Sequence, residues 1–324
     1  MRTSKEKSRG GWPILGSARF RSQEGVEGRM RLLLVDGSYY AYRSFYAMPA
    51  LQTSAGKPTN ALYGLTVVLR RMLADLRPTL AGWAVDDGLC EERVSLCPEY
   101  KANRPEVPEA LSVQLDQVEE LMAALGVPVL RVPGEEADDV MASYAAAALR
   151  QGGEVILATN DKDLMAMVSP RVSIYQTNGK GFHLLNEQEV AQKWGVAPAQ
   201  IPDLLALIGD TVDNIAGIPG VGRITAAQWL RHYGSLEELL RQAPQAGWAK
   251  LRQLTDAQRE RILRNRKMVG LRTDLRLPMA LESLTIHPDL AKQAELFRRW
   301  EFRKLAKEAE EALAAQRGQP ELFS

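Results

Sequence analysis

The chain has 324 residues, 45% of them hydrophobic and 25% charged, with a formal net charge of +1. That size and balance describe one large or two ordinary globular domains, and they exclude a wholly disordered or collagen-like chain. No apolar run approaches the roughly 20 residues of a membrane helix, and residues 1–29 lack the apolar core of a secretory signal, so a cytoplasmic protein is expected.

Residues 1–29 hold seven Lys/Arg against three acids and show no apolar period, which predicts a disordered basic extension. From Met30 onward short apolar runs alternate with longer amphipathic ones. Strands are expected at 32–35, 80–85, 127–132 and 155–158, and helices near 60–76, 110–125 and 137–150. Buried strands separated by helices predict an α/β fold with a mostly parallel sheet covered on both faces. Such sheets bind ligands at the carboxyl ends of their strands. Cys90 and Cys97, the two cysteines of the chain, are too few for a disulfide framework or zinc site and read as small buried hydrophobes. Pro105 and Pro108 make 100–110 a loop or broken helix crossing the surface. After about residue 186 a mostly helical region follows, with helices expected at 187–194, 199–208, 223–231, 235–242 and 255–268. Residues 241–324 carry 17 bases against 11 acids, which suits a polyanion contact but also an ordinary solvated surface.

The acids carry the chemical argument. Asp36, Asp86 and Asp161 each follow a predicted strand at the same sheet edge; any one alone would most often be a helix cap. Glu136 and Asp139 stand one helical turn apart beside Asp138. Asp163 lies two residues past Asp161, and Asp210 and Asp213 sit three apart in an otherwise apolar stretch. If these nine carboxylates converge, their mutual repulsion requires cations. All the donors are oxygens, which favours Mg²⁺, or Mn²⁺ in its place, over zinc. Two such ions suit in-line hydrolysis of a phosphodiester. With those nine acids held in one site, the chain from residue 30 has 34 bases against 28 remaining acids.

Cations should meet the phosphate. Lys101 and Arg104, in the Pro-interrupted segment, and Arg43, seven residues past Asp36, are the candidates to offset charge in the transition state. A solvated pair in an exposed loop is the alternative for Lys101 and Arg104. Gly217, Ile218, Pro219, Gly220, Val221 and Gly222, followed by a helix from Arg223, form a tight hairpin whose amides can approach a phosphate closely without reading bases. A plain helix-turn-helix joint is the alternative there.

The segments 33–38, 100–104, 136–139, 159–163 and 209–214, in this order, resemble the 5′ nucleases: the flap endonucleases and the 5′ to 3′ exonuclease domain at the front of bacterial DNA polymerase I. The resemblance runs from Met30 to about Lys307. It implies a PIN-like or Rossmann-like nuclease domain over 30–208, with a helical arch near 98–115 that has Lys101 and Arg104 at its base. It further implies a DNA-binding helix-hairpin-helix region over 209–311 and a flexible tail over 312–324. The nine acids become the metal ligands, and the hairpin a duplex-holding element that binds potassium through its carbonyls. Arg223 and Ile224 depart from the acidic residue and lysine usual after the hairpin, so the phosphate contact there passes to Arg223. Gln319, Leu322 and Phe323 resemble the peptide by which bacterial replication proteins bind the sliding clamp. Together these imply a free-standing, monomeric enzyme that removes 5′ flaps or 5′ terminal nucleotides from DNA, RNA–DNA primers included, in replication and repair. A PIN-type RNA endonuclease or a non-catalytic junction-binding scaffold is the alternative.

Overall fold

The computed structural model describes residues 30–177 and 181–317, so the expected extension over 1–29 and the tail residues Gln319, Leu322 and Phe323 lie outside the described residues. The chain opens with β1 (Arg31–Asp36), α1 (Gly37–Ala47), α2 (Asn60–Leu76), β2 (Leu80–Ala84) and α3 (Glu91–Leu96). Then come α4 (Glu109–Leu115), α5 (Val118–Leu125), β3 (Val129–Leu130), α6 (Ala137–Arg150), β4 (Glu154–Ala158), β5 (Val172–Thr177) and β6 (Phe182–Leu185). The remainder is α7 (Glu187–Trp194), α8 (Ile201–Ile208), a two-stranded ladder of β7 (Gly209–Asp210) and β8 (Ile215–Ala216), α9 (Arg223–Tyr233), α10 (Leu236–Gln242), α11 (Ala249–Arg252), α12 (Asp256–Met268), α13 (Leu290–Arg299) and α14 (Arg303–Arg317).

The central sheet has the order β3-β2-β1-β4-β5-β6, parallel except for β6. Side chains on β1 alternate between two cores: Leu32 and Leu34 pack with α6 and the helical region, Leu33 and Val35 with α1, α2 and α5. With both faces covered, every position of 32–35 must be apolar, which is why β1 is a continuous hydrophobic run. From β1 the chain winds outward through β2 to β3, then returns to the other side of β1 as β4. The strand order therefore reverses between β1 and β4, and the crevice at their carboxyl ends is where open α/β sheets place ligands.

Several elements differ from expectation. The helix expected over 110–125 is two: Gln114 turns inward and accepts from the amides of Ala61 (2.8 Å) and Leu62 (3.3 Å), capping the start of α2. Within the arch expected near 98–115, residues 97–108 are turns and extended chain and residues 109–115 form α4. β3 keeps two of the six residues expected.

Residues 290–311, expected with the helical region, instead belong to α13 and α14, which return to the α/β body and close the core around Leu33 and Val35. Trp300 Nε1 donates to Gln117 Oε1 (2.7 Å), and Arg70 pairs with Glu308 (3.1 Å). Gly126 permits this return. It has φ +78° at the end of α5, and a Cβ there would lie 2.3 Å from the His287 carbonyl carbon. Ala312, expected in a flexible tail, is buried on α14.

Candidate metal centre

The crevice between β1 and β4 opens into a cleft of about 350 Å³ lined by Asp36, Ser38, Tyr39, Tyr42, Arg43, Tyr46, Asp86, Lys101, Arg104, Ala137, Asp138 and Asp161. Asp36 ends β1 and caps α1, so its two roles, cap and cleft acid, coexist: Oδ1 accepts from the Tyr39 amide (2.9 Å) and Oδ2 from Thr159 Oγ1 (2.8 Å). Asp86 is pinned by Ser38 Oγ (2.6 Å) and the Ala137 amide (2.9 Å), which ties β2, α1 and α6 to one point. Asp161 accepts the Asp163 amide (2.8 Å), while its own amide bonds Thr159 Oγ1 (3.0 Å). Asp138, in the first turn of α6, accepts no hydrogen bond among the described residues.

A second group adjoins the first. Asp163, Asp210 and Asp213 each present a carboxylate oxygen, and these oxygens lie within 4.8 Å of one another. Lys162 pairs with Asp210, and Arg104 Nη2 with Asp213 Oδ1 (2.8 Å). The glycine at the end of α8 sets this geometry. Gly209 has φ +76° and faces Gly217 so closely that a Cβ on it would lie 2.3 Å from the Gly217 amide nitrogen. Only glycines allow the β7–β8 ladder to close there.

Electrostatics show the strain of this convergence. Burial raises the Asp36 pKa from its ordinary 3.8 to about 7, against hydrogen bonds from Tyr39 and Thr159, and Asp86 and Asp161 push it the same way. Burial raises Asp138 well above the ordinary aspartate value, with Asp161, Asp36, Asp163 and Asp86 all adding to it. Asp163 is raised likewise by burial and by Asp161, with Asp210 and Asp213 adding. Two carboxylate oxygens, Glu136 Oε1 and Asp163 Oδ1, are buried without a hydrogen-bond partner. Crowded acids with orphaned oxygens and an all-oxygen donor set fit a hard divalent cation.

The nine acids do not all act alike. Glu136 is buried and gives Oε2 to Lys101 Nζ (2.8 Å), Tyr100 OH (3.0 Å) and Arg93 Nη1 (3.0 Å), leaving Oε1 free. Asp139, expected as a ligand, is fully buried and committed elsewhere: Arg93 grips it through Nη1 (2.6 Å) and Nη2 (2.9 Å), and the Arg272 amide donates to it (2.9 Å). Arg93 also donates to the carbonyls of Met268 (2.8 Å) and Gly270 (2.9 Å), so its five N–H groups are all used. The helix spacing that placed Glu136 and Asp139 on one face is real, but what lies opposite Asp139 is a guanidinium.

Lys101 is buried. Burial works against its charge, yet Glu136 and Asp213 outweigh it and hold its pKa above the ordinary lysine value. Arg104 is half-exposed, and Arg43, exposed at the cleft mouth, bonds Tyr39 OH (2.9 Å) and Thr177 Oγ1 (2.5 Å). Sequence reasoning missed Ser38, Thr159, Lys162, Arg93 and the tyrosines Tyr39, Tyr42 and Tyr46. Ser38 and Thr159 could have been found from their place beside the acids at strand ends, but Arg93 carries no local signal.

The hairpin over 217–222 joins the β7–β8 ladder to α9, with Gly220 at φ +71°. Lys250 Nζ donates to the Gly220 carbonyl (2.6 Å), whereas a Cβ on Gly222 would meet nothing within 4 Å, so the turn is open at Gly222 and covered at Gly220. Arg223, expected to contact phosphate, bonds the Lys193 carbonyl and lies over the Trp194 ring at 5.9 Å. None of the described helices is long and apolar enough to cross a membrane.

Known proteins share the sequence pattern and the fold. A family model described as "5′-3′ exonuclease, N-terminal resolvase-like domain" matches residues 31–195, and one described as "5′-3′ exonuclease, C-terminal SAM fold" matches residues 196–292. The chain is 38% identical over 294 residues to the 5′-3′ exonuclease of Aquifex aeolicus, covering 90% of this chain and 99% of that protein. It is 39% identical over 293 residues to DNA polymerase I of Mycobacterium tuberculosis, covering 89% of this chain but 32% of the polymerase, so it spans about a third of that relative. Among solved structures, the flap endonuclease of bacteriophage T5, in a pseudo-enzyme-product complex with DNA and metal ions, aligns with a TM-score of 0.61 at 20% identity, over 89% of this chain and 99% of that one.

Proposed function

The chain belongs to the 5′-3′ exonuclease family and is a nuclease, and on that footing we propose how it selects and cuts its substrate. The reading is a structure-specific enzyme that removes 5′ flaps and 5′ terminal nucleotides from DNA, primer strands included, during replication and repair. The observation that carries it is the gathering of eight carboxylates, Asp36, Asp86, Glu136, Asp138, Asp161, Asp163, Asp210 and Asp213, around one crevice, with Lys101 buried among them and Arg43 and Arg104 at its mouth.

In this reading Asp36, Asp86, Glu136, Asp138 and Asp161 hold one magnesium ion, and Asp163, Asp210 and Asp213 a second. Such ions activate a water and stabilise the entering and leaving oxygens of a phosphodiester. Lys101 and Arg104, now on Glu136 and Asp213, exchange those carboxylates for the scissile phosphate and offset its charge. Arg43 meets the strand at the cleft mouth. The hairpin amides over 217–222 hold the duplex backbone, with potassium at its carbonyls where Lys250 does not already occupy them. The protein acts as a monomer, and Gln319, Leu322 and Phe323 recruit it to a sliding clamp. With a hairpin that grips backbone rather than reading bases, specificity lies in substrate shape, and affinity falls steeply with salt.

A 5′-labelled flap incubated with magnesium, beside an EDTA control, tests the reading. Metal-dependent product cut near the junction is expected, and stimulation by clamp should vanish on deleting residues 318–324. An intact label in magnesium would overturn the assignment.

The raised acids also make a thermodynamic prediction. An acid whose folded pKa lies above its unfolded value stabilises the fold only while protonated, so metal-free protein should lose stability as pH rises from about 4 to about 7, the window set by Asp36. A bound divalent ion removes that loss. The rise in melting temperature on adding magnesium should therefore be larger at pH 8 than at pH 5; an equal rise at both would contradict the ligand set.

A further inference from the structure

Two segments more than a hundred positions apart interlock beside the cleft. The Lys101 amide donates to the Asp213 carbonyl (3.1 Å), Asn103 Nδ2 to the Thr211 carbonyl (2.9 Å), and Asn214 Nδ2 to the Glu99 carbonyl (2.8 Å). Arg104 adds its ion pair with Asp213. Segment 99–104 thus reaches Glu136 through Lys101 Nζ on one side and Asp213 on the other, touching both groups of acids.

Neither segment is held by regular structure of its own: 99–103 is a succession of turns, and 211–214 is the turn between β7 and β8. Each contains a non-glycine residue in the left-handed region, Lys101 at φ 55° and Asn214 at φ 59°. Such a conformation is unfavourable for lysine and persists only where surrounding bonds over-determine it. Here the turn bonds within each segment are joined by bonds from the opposite one, the Lys101 amide on the Asp213 carbonyl and the Asn214 side chain on the Glu99 carbonyl.

We propose that Asn103 and Asn214 are positioning residues. They clasp the loop carrying Lys101 and Arg104 to the loop carrying Asp210 and Asp213, so that capture of a strand and assembly of the second acid group occur as one event. The inference rests on the function proposed above. When a phosphate takes Arg104 from Asp213, the ion pair between the loops is lost. The Asn103, Asn214 and Lys101 main-chain bonds then keep Asp213 in register while its carboxylate turns to a cation.

Hydrogen exchange in metal-free protein tests the clasp without any cleavage. Asn103→Ala should speed exchange at 99–104 and 211–216 together, leaving the sheet unchanged. Asn103→Asp, equal in shape but lacking the donor, should behave as Ala does. Asn214→Gly keeps the left-handed conformation and removes only the bond to Glu99, so it provides a variant whose folding is not in question. In magnesium all three should lower kcat by roughly tenfold to a hundredfold, raise the half-saturating magnesium concentration and leave KM for the flap unchanged. Unchanged exchange at 211–216, wild-type behaviour of Asn103→Asp, or faster exchange throughout the fold would each overturn the proposal. Failure of the unmodified protein to cut a flap would instead overturn the functional reading and leave the exchange result standing.

Discussion

Asp138→Ala is expected to reduce flap cleavage by about a thousandfold or more, because it removes an acid assigned to an ion that supplies several kcal/mol of transition-state stabilisation. The same substitution should raise the melting temperature of the metal-free protein. Asp138 accepts no hydrogen bond among the described residues and faces the charges of Asp161, Asp36, Asp163 and Asp86, so deleting it removes repulsion and breaks nothing. Single-turnover cleavage and melting in EDTA together check it. Loss of activity with loss of stability would mean that Asp138 is a structural residue; retained activity would remove it from the ligand set. Substrate binding in calcium should survive.

Asp139→Ala should behave in the opposite way. Removing this carboxylate strands the buried Arg93 guanidinium without its two-point partner, and breaking a buried pair from one side costs roughly 3–5 kcal/mol. Cleavage should fall as well, because Arg93 holds Glu136, which in turn holds Lys101. Denaturant unfolding is the deciding measurement. If Asp139→Ala unfolds at the wild-type midpoint while losing activity, Asp139 is a ligand after all and its bond to Arg93 is incidental.

The contrast between these neighbours marks how far local reading reaches. Leu32–Val35, the α2 and α6 spans and the acids at strand ends were legible because continuous burial, helical period and the strand-to-helix turn are properties of a few consecutive residues. The bond of Asp139 to Arg93 was not legible because its partner lies 46 positions earlier, and no spacing rule links them. α1 was missed because its aromatic run, Tyr39 to Tyr46, has strand-like propensity, which packing against α2 overrides. β5 and β6 were missed for another reason: in the edge strand β6 and in β5 beside it the residues are mixed in polarity and lack the continuous apolar run of β1. The hairpin glycines were read correctly as a tight turn, but the need for Gly217 comes from the backbone of Ile208 and Gly209, which only the folded chain brings near.

The return of α13 and α14 to the first strands has a consequence for biosynthesis. The cluster around Leu33 and Val35, packed first by α1, α2 and α5, is completed only when α14 has left the ribosome, 286 residues after Arg31, which at cellular elongation rates takes roughly 15 to 60 s. A nascent chain carries all the acids of the cleft long before it can seal the body that aims them. Competence to cut is therefore expected to be complete only with the last helices, and products terminated before them should hold the acids of the cleft in a less firmly packed frame.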